Sequence, residues 1–225
     1  MRRIVDGVWE LRSGYVHAHL IEVDNGLVLV DTGLPRRAGK LALAVRRTGR
    51  DLADLHTILL THQHPDHIGS LADLRQRTGA QVVAHRQDVA VITGERPQPI
   101  HHWVMRLSAP FLKADPAPVD RILDGDGPTG VPGITAVHTP GHTPGHVSFL
   151  LDRAGGVLFA GDAASAMFGR VRPTPRVVSA DPALALRSAA RLAELDFRVA
   201  VFGHGSAVTG DAVARFRDFT ARHRS

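Results

Sequence analysis

Apolar and polar positions alternate along "YVHAHLIEV" (15–23), the pattern of a strand with one packed face, and this run meets "DNG" before a second apolar run, "LVLVDTG" (27–33). That arrangement predicts a β-hairpin, because Asn-Gly supplies the left-handed backbone that a tight turn needs. After Pro35 the period lengthens, and "RRAGKLALAVRRTG" predicts a helix. "LHTILLTH" (55–62) is a largely apolar run of strand length whose C-terminal end delivers His62. "IGSLADLRQRTG" then predicts a helix closed by Gly79, and "AQVVAH" another strand.

A second series begins near Val119. "ITAVHTPG", "HVSFLLD" and "GVLFAGD" read as strands, with "RAGG" turning the last pair. "DPALALRSAARLAELD" opens on an N-capping Asp181 with Pro182 at the first helical position, followed by helical apolar spacing. "RVAVFGH" reads as a buried strand and the remainder as a terminal helix. Between the two series, residues 94–118 are proline-rich and lack periodicity, which in a compact domain suggests a lid or binding loop. Two successive strand-and-helix groups argue for an α/β protein, a four-layer α/β/β/α sandwich. The expected organisation is one domain over 1–225, built of two halves that share a core.

Composition narrows the chemistry. The 225 residues include no cysteine, so any metal must be held by nitrogen and oxygen. No apolar run is long enough to span a membrane, and the N-terminus has no signal-peptide core. A cytoplasmic location without a membrane partner is therefore expected. The formal charge is +5, but the arginines are scattered among acids and form no run, so a solvated surface is favoured over a specific nucleic-acid footprint.

Four polar stretches each follow a strand-like run: "LLTHQHPDH", "AVHTPGHTPGH", "FAGD" and "VFGHG". Strand ends at one edge of a sheet are where ligands gather. Each stretch carries His or Asp, so together they bring at least seven nitrogen or oxygen ligands to one rim, with glycines beside them that let the backbone turn tightly.

"THQHPDH" (61–67), "TPGHTPGH" (139–146), "GD" (161–162), "GH" (203–204) and "LVDTG" (29–33) together resemble the signature of the metallo-β-lactamase-fold hydrolases, over essentially the whole chain. The resemblance implies one metal held by His62, His64 and His142, a second held by Asp66, His67 and His204, and Asp162 bridging both. Imidazole and carboxylate suit Zn²⁺, two per chain, with Fe or Mn as alternatives. A binuclear site lowers the pKa of a bridging water enough to supply hydroxide near neutral pH, and the metals polarise a substrate carbonyl. Asp66 would orient the nucleophile and pass a proton to the leaving group. Asp31 is expected either to fix a ligand loop by hydrogen bonding or to serve as a turn-forming Asp before Thr-Gly.

His146 is a candidate outer donor to the metal shell. His17 and His19 share one strand face and read as pocket lining or surface, while His101, His102 and Trp103 are candidate substrate contacts in the lid. Tyr15 is a candidate for the border of the groove, and His56, His85, His138 and His223 are given structural roles. The tract from "TPGHTPGH" to "VFGH" is similar to that of acyl-homoserine lactonases, but Ser165 stands where those enzymes place a tyrosine. The implied reaction is metal-dependent cleavage of an ester, lactone or thioester in a small acyl substrate, with homo-oligomerisation left open. Two alternatives from other classes are a mononuclear iron enzyme of persulfide oxidation and a nucleic-acid-processing member.

Overall fold

A computed structural model of the chain describes residues 1–99 and 112–223. His101, His102 and Trp103, and with them the centre of the expected lid, lie outside the described residues. The chain divides into two compact units, Met1–Leu123 and Asp124–Ser225.

The first unit is built on a seven-stranded sheet whose spatial order follows the sequence: β1 (Arg2–Val5), β2 (Val8–Ser13), β3 (Val16–Val23), β4 (Gly26–Val30), β5 (Leu55–Leu59), β6 (Gln81–His85) and β7 (Arg121–Leu123). Pairing is antiparallel from β1 to β4 and parallel from β4 to β7. The described helices between them are α1 (Ala38–Arg46), α2 (Pro65–Ile68), α3 (Leu71–Thr78) and α4 (Arg86–Ile92). Alternate strand positions divide the sheet's faces. Leu11, Ala18, Leu20, Leu29, Ile58 and Val82 pack with Leu41 and Val45 of α1 and Leu71 and Leu74 of α3. Leu71 and Leu74 are fully buried, and each contributes roughly 1.5–3 kcal/mol by leaving water. Helix α3 ends at Gly79, whose φ of 68° provides the left-handed cap expected there.

The second unit has a five-stranded sheet in the order β14-β11-β10-β9-β8, from β8 (Gly127–Pro128), β9 (Ile134–His138), β10 (Val147–Leu151), β11 (Val157–Phe159) and β14 (Val199–Val201). A separate hairpin joins β12 (Ala164–Met167) to β13 (Arg170–Pro173). Helix α5 (Pro182–Arg191) starts as its sequence dictates: Asp181 accepts the Leu184 N–H at 2.9 Å, and Pro182 occupies the first turn. Helix α6 (Ala212–His223) closes the chain. Its Phe216 sits edge-on to Phe197 at 5.3 Å and stacks with Phe202 at 6.2 Å, forming an aromatic core under the sheet.

Both sheets direct chemistry to their edges by the same rule. Because β4, β5 and β6 run parallel, the segments after them, at Asp31, Thr61 and Arg86, leave one edge of the first sheet. In the second, β9 and β11 are both antiparallel to β10, and β14 is parallel to β11, so β9, β11 and β14 all point one way. The loops to His142, Asp162 and His204 therefore leave one edge.

Candidate metal centre

In the first unit, β5 hands the chain to Thr61, His62, Gln63 and His64, after which Pro65 starts the single turn α2 that carries Asp66 and His67. The His62 ring lies 4.7 Å from that of His64 and 4.1 Å from that of His67, centroid to centroid. His62 and His67 are buried, whereas His64 and Asp66 are half-exposed. The turn is pinned to the loop after β4. Thr32 donates its N–H and its hydroxyl to the His67 carbonyl at 2.7 and 2.9 Å, and Gly69 donates to the Gly33 carbonyl at 3.0 Å. A Cβ at Gly69 would fall 2.3 Å from the Pro35 nitrogen, so only glycine permits this close approach.

Asp31 sets the protonation pattern of these imidazoles. Its carboxylate accepts the Thr61 N–H at 2.8 Å and the Thr61 hydroxyl at 2.7 Å, and it pairs with His67 Nδ1 at 2.8 Å. Only an Nδ1–H can donate to that carboxylate, so His67 keeps its Nε2 lone pair. The Thr61 hydroxyl has spent its proton on Asp31, so in its 3.0 Å contact with His62 Nδ1 it is the acceptor. His62 too then carries its proton on Nδ1 and turns an Nε2 lone pair outward. Orienting contacts of this kind make histidine a ligand rather than a cation. Asp88 of α4 adds a second brace by accepting the Gln63 N–H at 3.0 Å.

His19 reports on the same surroundings. Burial above all, and then the charges of His17 and His67, push it down to about 3. His17 and His19 are both buried on β3, with Glu10 of β2 opposite His19. Their burial sets aside the reading of these two histidines as ordinary surface.

In the second unit, Asp162 Oδ2 stands 3.4 Å from His142 Nε2 and 3.3 Å from His204 Nε2. One carboxylate oxygen thus faces two imidazole nitrogens. Asp162 and His142 are buried and His204 is partly open. Buried imidazole nitrogens gathered on one carboxylate oxygen form a donor set that a divalent cation can satisfy. The donor set fits a divalent metal by its own chemistry, and all seven expected ligands are among the side chains able to hold an ion.

Second-unit ligands are also braced. The His142 loop lies on the start of α5: Asp181 donates to the Gly141 carbonyl at 2.8 Å and Ala180 to that of His142 at 3.1 Å. A Cβ at Gly141 would come within 2.1 Å of the Ala185 nitrogen, so the loop needs glycine to lie so close. His146 accepts the Asp162 N–H on Nε2 at 2.9 Å. Its Nδ1 contacts the Thr139 hydroxyl at 2.8 Å. The candidate outer contact at His146 is thus an acceptor toward Asp162 and a donor toward Thr139.

Of the remaining candidates, Ser165 is half-buried on β12, opposite Arg172. Tyr15 sits in the β2–β3 turn, just ahead of the β3–β4 hairpin, and is 54% exposed. His85 caps α4 by accepting the Gln87 N–H, and His223 contacts the Phe219 carbonyl, both structural roles. Three outer residues escape the sequence reading: Thr61, Asp88 and Thr139. Thr61 and Thr139 each begin a histidine motif, which is a signal of sorts. Asp88 offers no such signal, because it follows Arg86 and Gln87 in the polar first turn of α4.

With this geometry in hand, the comparisons are consistent. Residues 11–204 match the family model described as the metallo-beta-lactamase superfamily. The chain belongs to that superfamily. A probable metallo-hydrolase of Bacillus subtilis, YflN, is 30% identical over 91% of this chain and 86% of its own. An N-acyl homoserine lactonase of a Bacillus species is 28% identical over 87% of this chain and 83% of its own. Among solved structures, a metallo-beta-lactamase family protein of Thermus thermophilus superposes with a TM-score of 0.74 and 28% identity, covering 99% of this chain and 81% of that one. The fold is therefore the α/β metallo-β-lactamase fold, and the family and its ligand set support a metal-dependent hydrolase.

Proposed function

We propose that the protein is a binuclear, zinc-dependent hydrolase that opens an ester, lactone or thioester in a small acyl substrate. The observation that carries this reading is the facing of His142 Nε2 and His204 Nε2 by the single oxygen Asp162 Oδ2, the arrangement a bridging carboxylate needs. On the family pattern, His62, His64 and His142 would hold one ion and Asp66, His67 and His204 the other, with Asp162 shared between them. Such ions would supply Lewis acidity for activating water and polarising a carbonyl. The chain's own residues do the rest. Asp31 and Thr61 keep His62 and His67 in the ligating tautomer, and Asp66 holds a proton within the site and delivers it to the leaving oxygen or sulfur.

The substrate class rests on chemistry and kinship. An alkoxide must be protonated as it leaves, whereas a thiolate departs with less help, and Asp66 is the carboxylate we assign to supply that proton. The lactonase similarity favours a lactone within that class. Ser165, where those enzymes have tyrosine, leaves the ring-opening contact to other residues, and Trp103 is the proposed apolar contact for the acyl chain.

Metal quantification on purified protein, followed by turnover of lactones, thioesters, carboxylate esters, phosphodiesters and β-lactams, tests the proposal. Two equivalents of zinc with turnover of a lactone or ester is the expected result. Activity confined to phosphodiesters overturns the substrate class, and a single iron overturns the mechanism.

A further inference from the structure

The β12–β13 hairpin turns through Phe168 and Gly169, with φ of 52° and 72°. Positive φ at both central residues is the two-residue turn that favours Asn-Gly, because a side chain bearing Cβ is crowded there. Phenylalanine is poorly suited to this place, and the fold gains nothing from its ring, which is 91% exposed. Both the backbone and the solvent thus oppose the residue found. Such an outlier, observed first, is a pointer to function.

Its surroundings say what kind. Met167 beside it and Val177 just beyond are also exposed, so three of the seven exposed large apolar side chains among the described residues fall between 167 and 177. From Ala163 to Ala180 the sequence holds no acid and three arginines, Arg170, Arg172 and Arg176, all exposed. Helix α6 brings a fourth: Arg222 Nη2 reaches the Val171 carbonyl at 3.5 Å. The apolar tip thus belongs to a segment, 163–180, whose only charged side chains are arginines.

We infer that this hairpin docks the protein on the surface of an anionic phospholipid bilayer. Phe168 and Met167 enter below the phosphates, and the arginines pair with the phosphates while their stems lie along the apolar boundary. The charge pattern selects this occupant. Nucleic acid would satisfy the arginines but offers Met167 and Val177 no apolar phase. A second copy meeting face to face would cover the apolar tip but bring four cations against four. No helix among the described residues is long and apolar enough to cross a membrane, and peripheral docking needs none. The inference departs from the sequence expectation of no membrane partner, which rested on apolar runs and the N-terminus and not on a docking surface. It is independent of the hydrolase reading, because none of these residues is assigned to the metal machinery.

Co-sedimentation of the full chain, as purified with its metal, with vesicles of phosphatidylcholine alone or mixed with phosphatidylglycerol provides the test. Binding is expected to the mixed vesicles only and to weaken with salt. Phe168→Asn should lower the partition at least about tenfold, and Arg170→Gln or Arg172→Gln about fivefold each. Asn suits the turn better than Phe, so the variant's Tm should equal or exceed that of the parent, which separates lost docking from lost folding. Failure of the parent protein to bind mixed vesicles overturns the inference, as does equal binding by Phe168→Asn. So does a concentration-dependent dimer that this substitution abolishes in a chain that ignores vesicles. Tighter binding to duplex DNA than to vesicles, unaffected by Phe168→Asn, would also overturn it in favour of a charge footprint.

Discussion

His146 Nε2 accepts the backbone N–H of Asp162 at 2.9 Å, and that single bond orders a chain of hydrogen bonds behind it. A backbone N–H can only donate, so Nε2 is unprotonated and the ring proton lies on Nδ1. Nδ1 donates to the Thr139 hydroxyl, which donates to the Ser148 hydroxyl at 3.0 Å, which donates to the Ala160 carbonyl at 3.1 Å. The relay begins and ends within the short loop that presents Asp162, and His146, Thr139, Ser148 and Ala160 are all buried. His146 is thus a positioning residue for the carboxylate that faces both His142 and His204.

His146→Ala should therefore disturb metal binding more than the fold. Losing an outer-shell partner costs about 10- to 100-fold in metal affinity. Titration with a chelator, followed by metal analysis, is expected to strip the variant at lower chelator concentration than the parent, with circular dichroism unchanged at full loading. Unaltered metal retention would show that Asp162 is held without His146.

Asp31 performs the corresponding task in the first unit. It is a non-glycine residue with φ of 59°, a conformation that Asp tolerates better than most, and one carboxylate serves Thr61 and His67 together. Asp31→Asn keeps the size and the turn but replaces one acceptor oxygen by an amide donor, which cannot receive both partners. Metal affinity should fall about 10- to 100-fold, and Tm should fall as well, since a buried donor left unpaired costs about 1–3 kcal/mol. Thr61→Val tests the branch to His62 separately, and a variant with normal metal content would argue that the His62 tautomer needs no hydroxyl.

These two networks mark where sequence reading stops. "LVLVDTG" and "LLTHQHPDH" place Asp31 and His62 at strand ends because apolar runs and polar interruptions are local signals. The strands β3 to β6, β9 to β11 and β14, with α3 and α5, follow from the same signals. Asp181, Pro182 and Gly79 mark helix ends by their own chemistry. The direction of the His146 bond is not local: it depends on which backbone atom β11 brings beside β10. Asp88 reaches Gln63 only because β5 and β6 are parallel neighbours, and nothing in "RQDVAVI" reveals that pairing. Strands β12 and β13 are masked in the sequence by alanines and by an unusual turn residue, so their periodicity is weak.

Acid should destabilise the protein through His19. In the unfolded chain this imidazole takes a proton near its ordinary value of 6.5, whereas in the fold burial, with His17 and His67 nearby, delays protonation to about 3. Between those values the unfolded state binds the extra proton, so stability is complete above 6.5 and is lost as pH falls toward 3. The slope from one group reaches about 1.4 kcal/mol per pH unit. Tm measured against pH should decline less steeply for His19→Gln than for the parent, while acid loss of metal affects both alike. Parallel curves would show that His19 does not carry the effect.

Asp66 should separate turnover from folding most sharply. It sits in the first turn of α2, half-exposed, next to the Pro65 that starts that turn and beside buried His67, so its side chain contributes little to the core. The turn is held by backbone bonds, from His67 N–H to the His64 carbonyl at 2.9 Å and from Thr32 to the His67 carbonyl, neither of which involves the Asp66 carboxylate. Asp66→Asn keeps the volume and removes the charge and the basic oxygen. If Asp66 carries the proton to the leaving group, turnover should fall by at least about 10²-fold, the scale of general acid-base catalysis, with Tm nearly unchanged. The loss should be smaller for a substrate whose leaving group is already acidic, such as an aryl ester, than for an alkyl lactone, because the former departs without protonation. Equal losses on both would restrict Asp66 to metal holding, and near-normal turnover across pH would remove it from the mechanism.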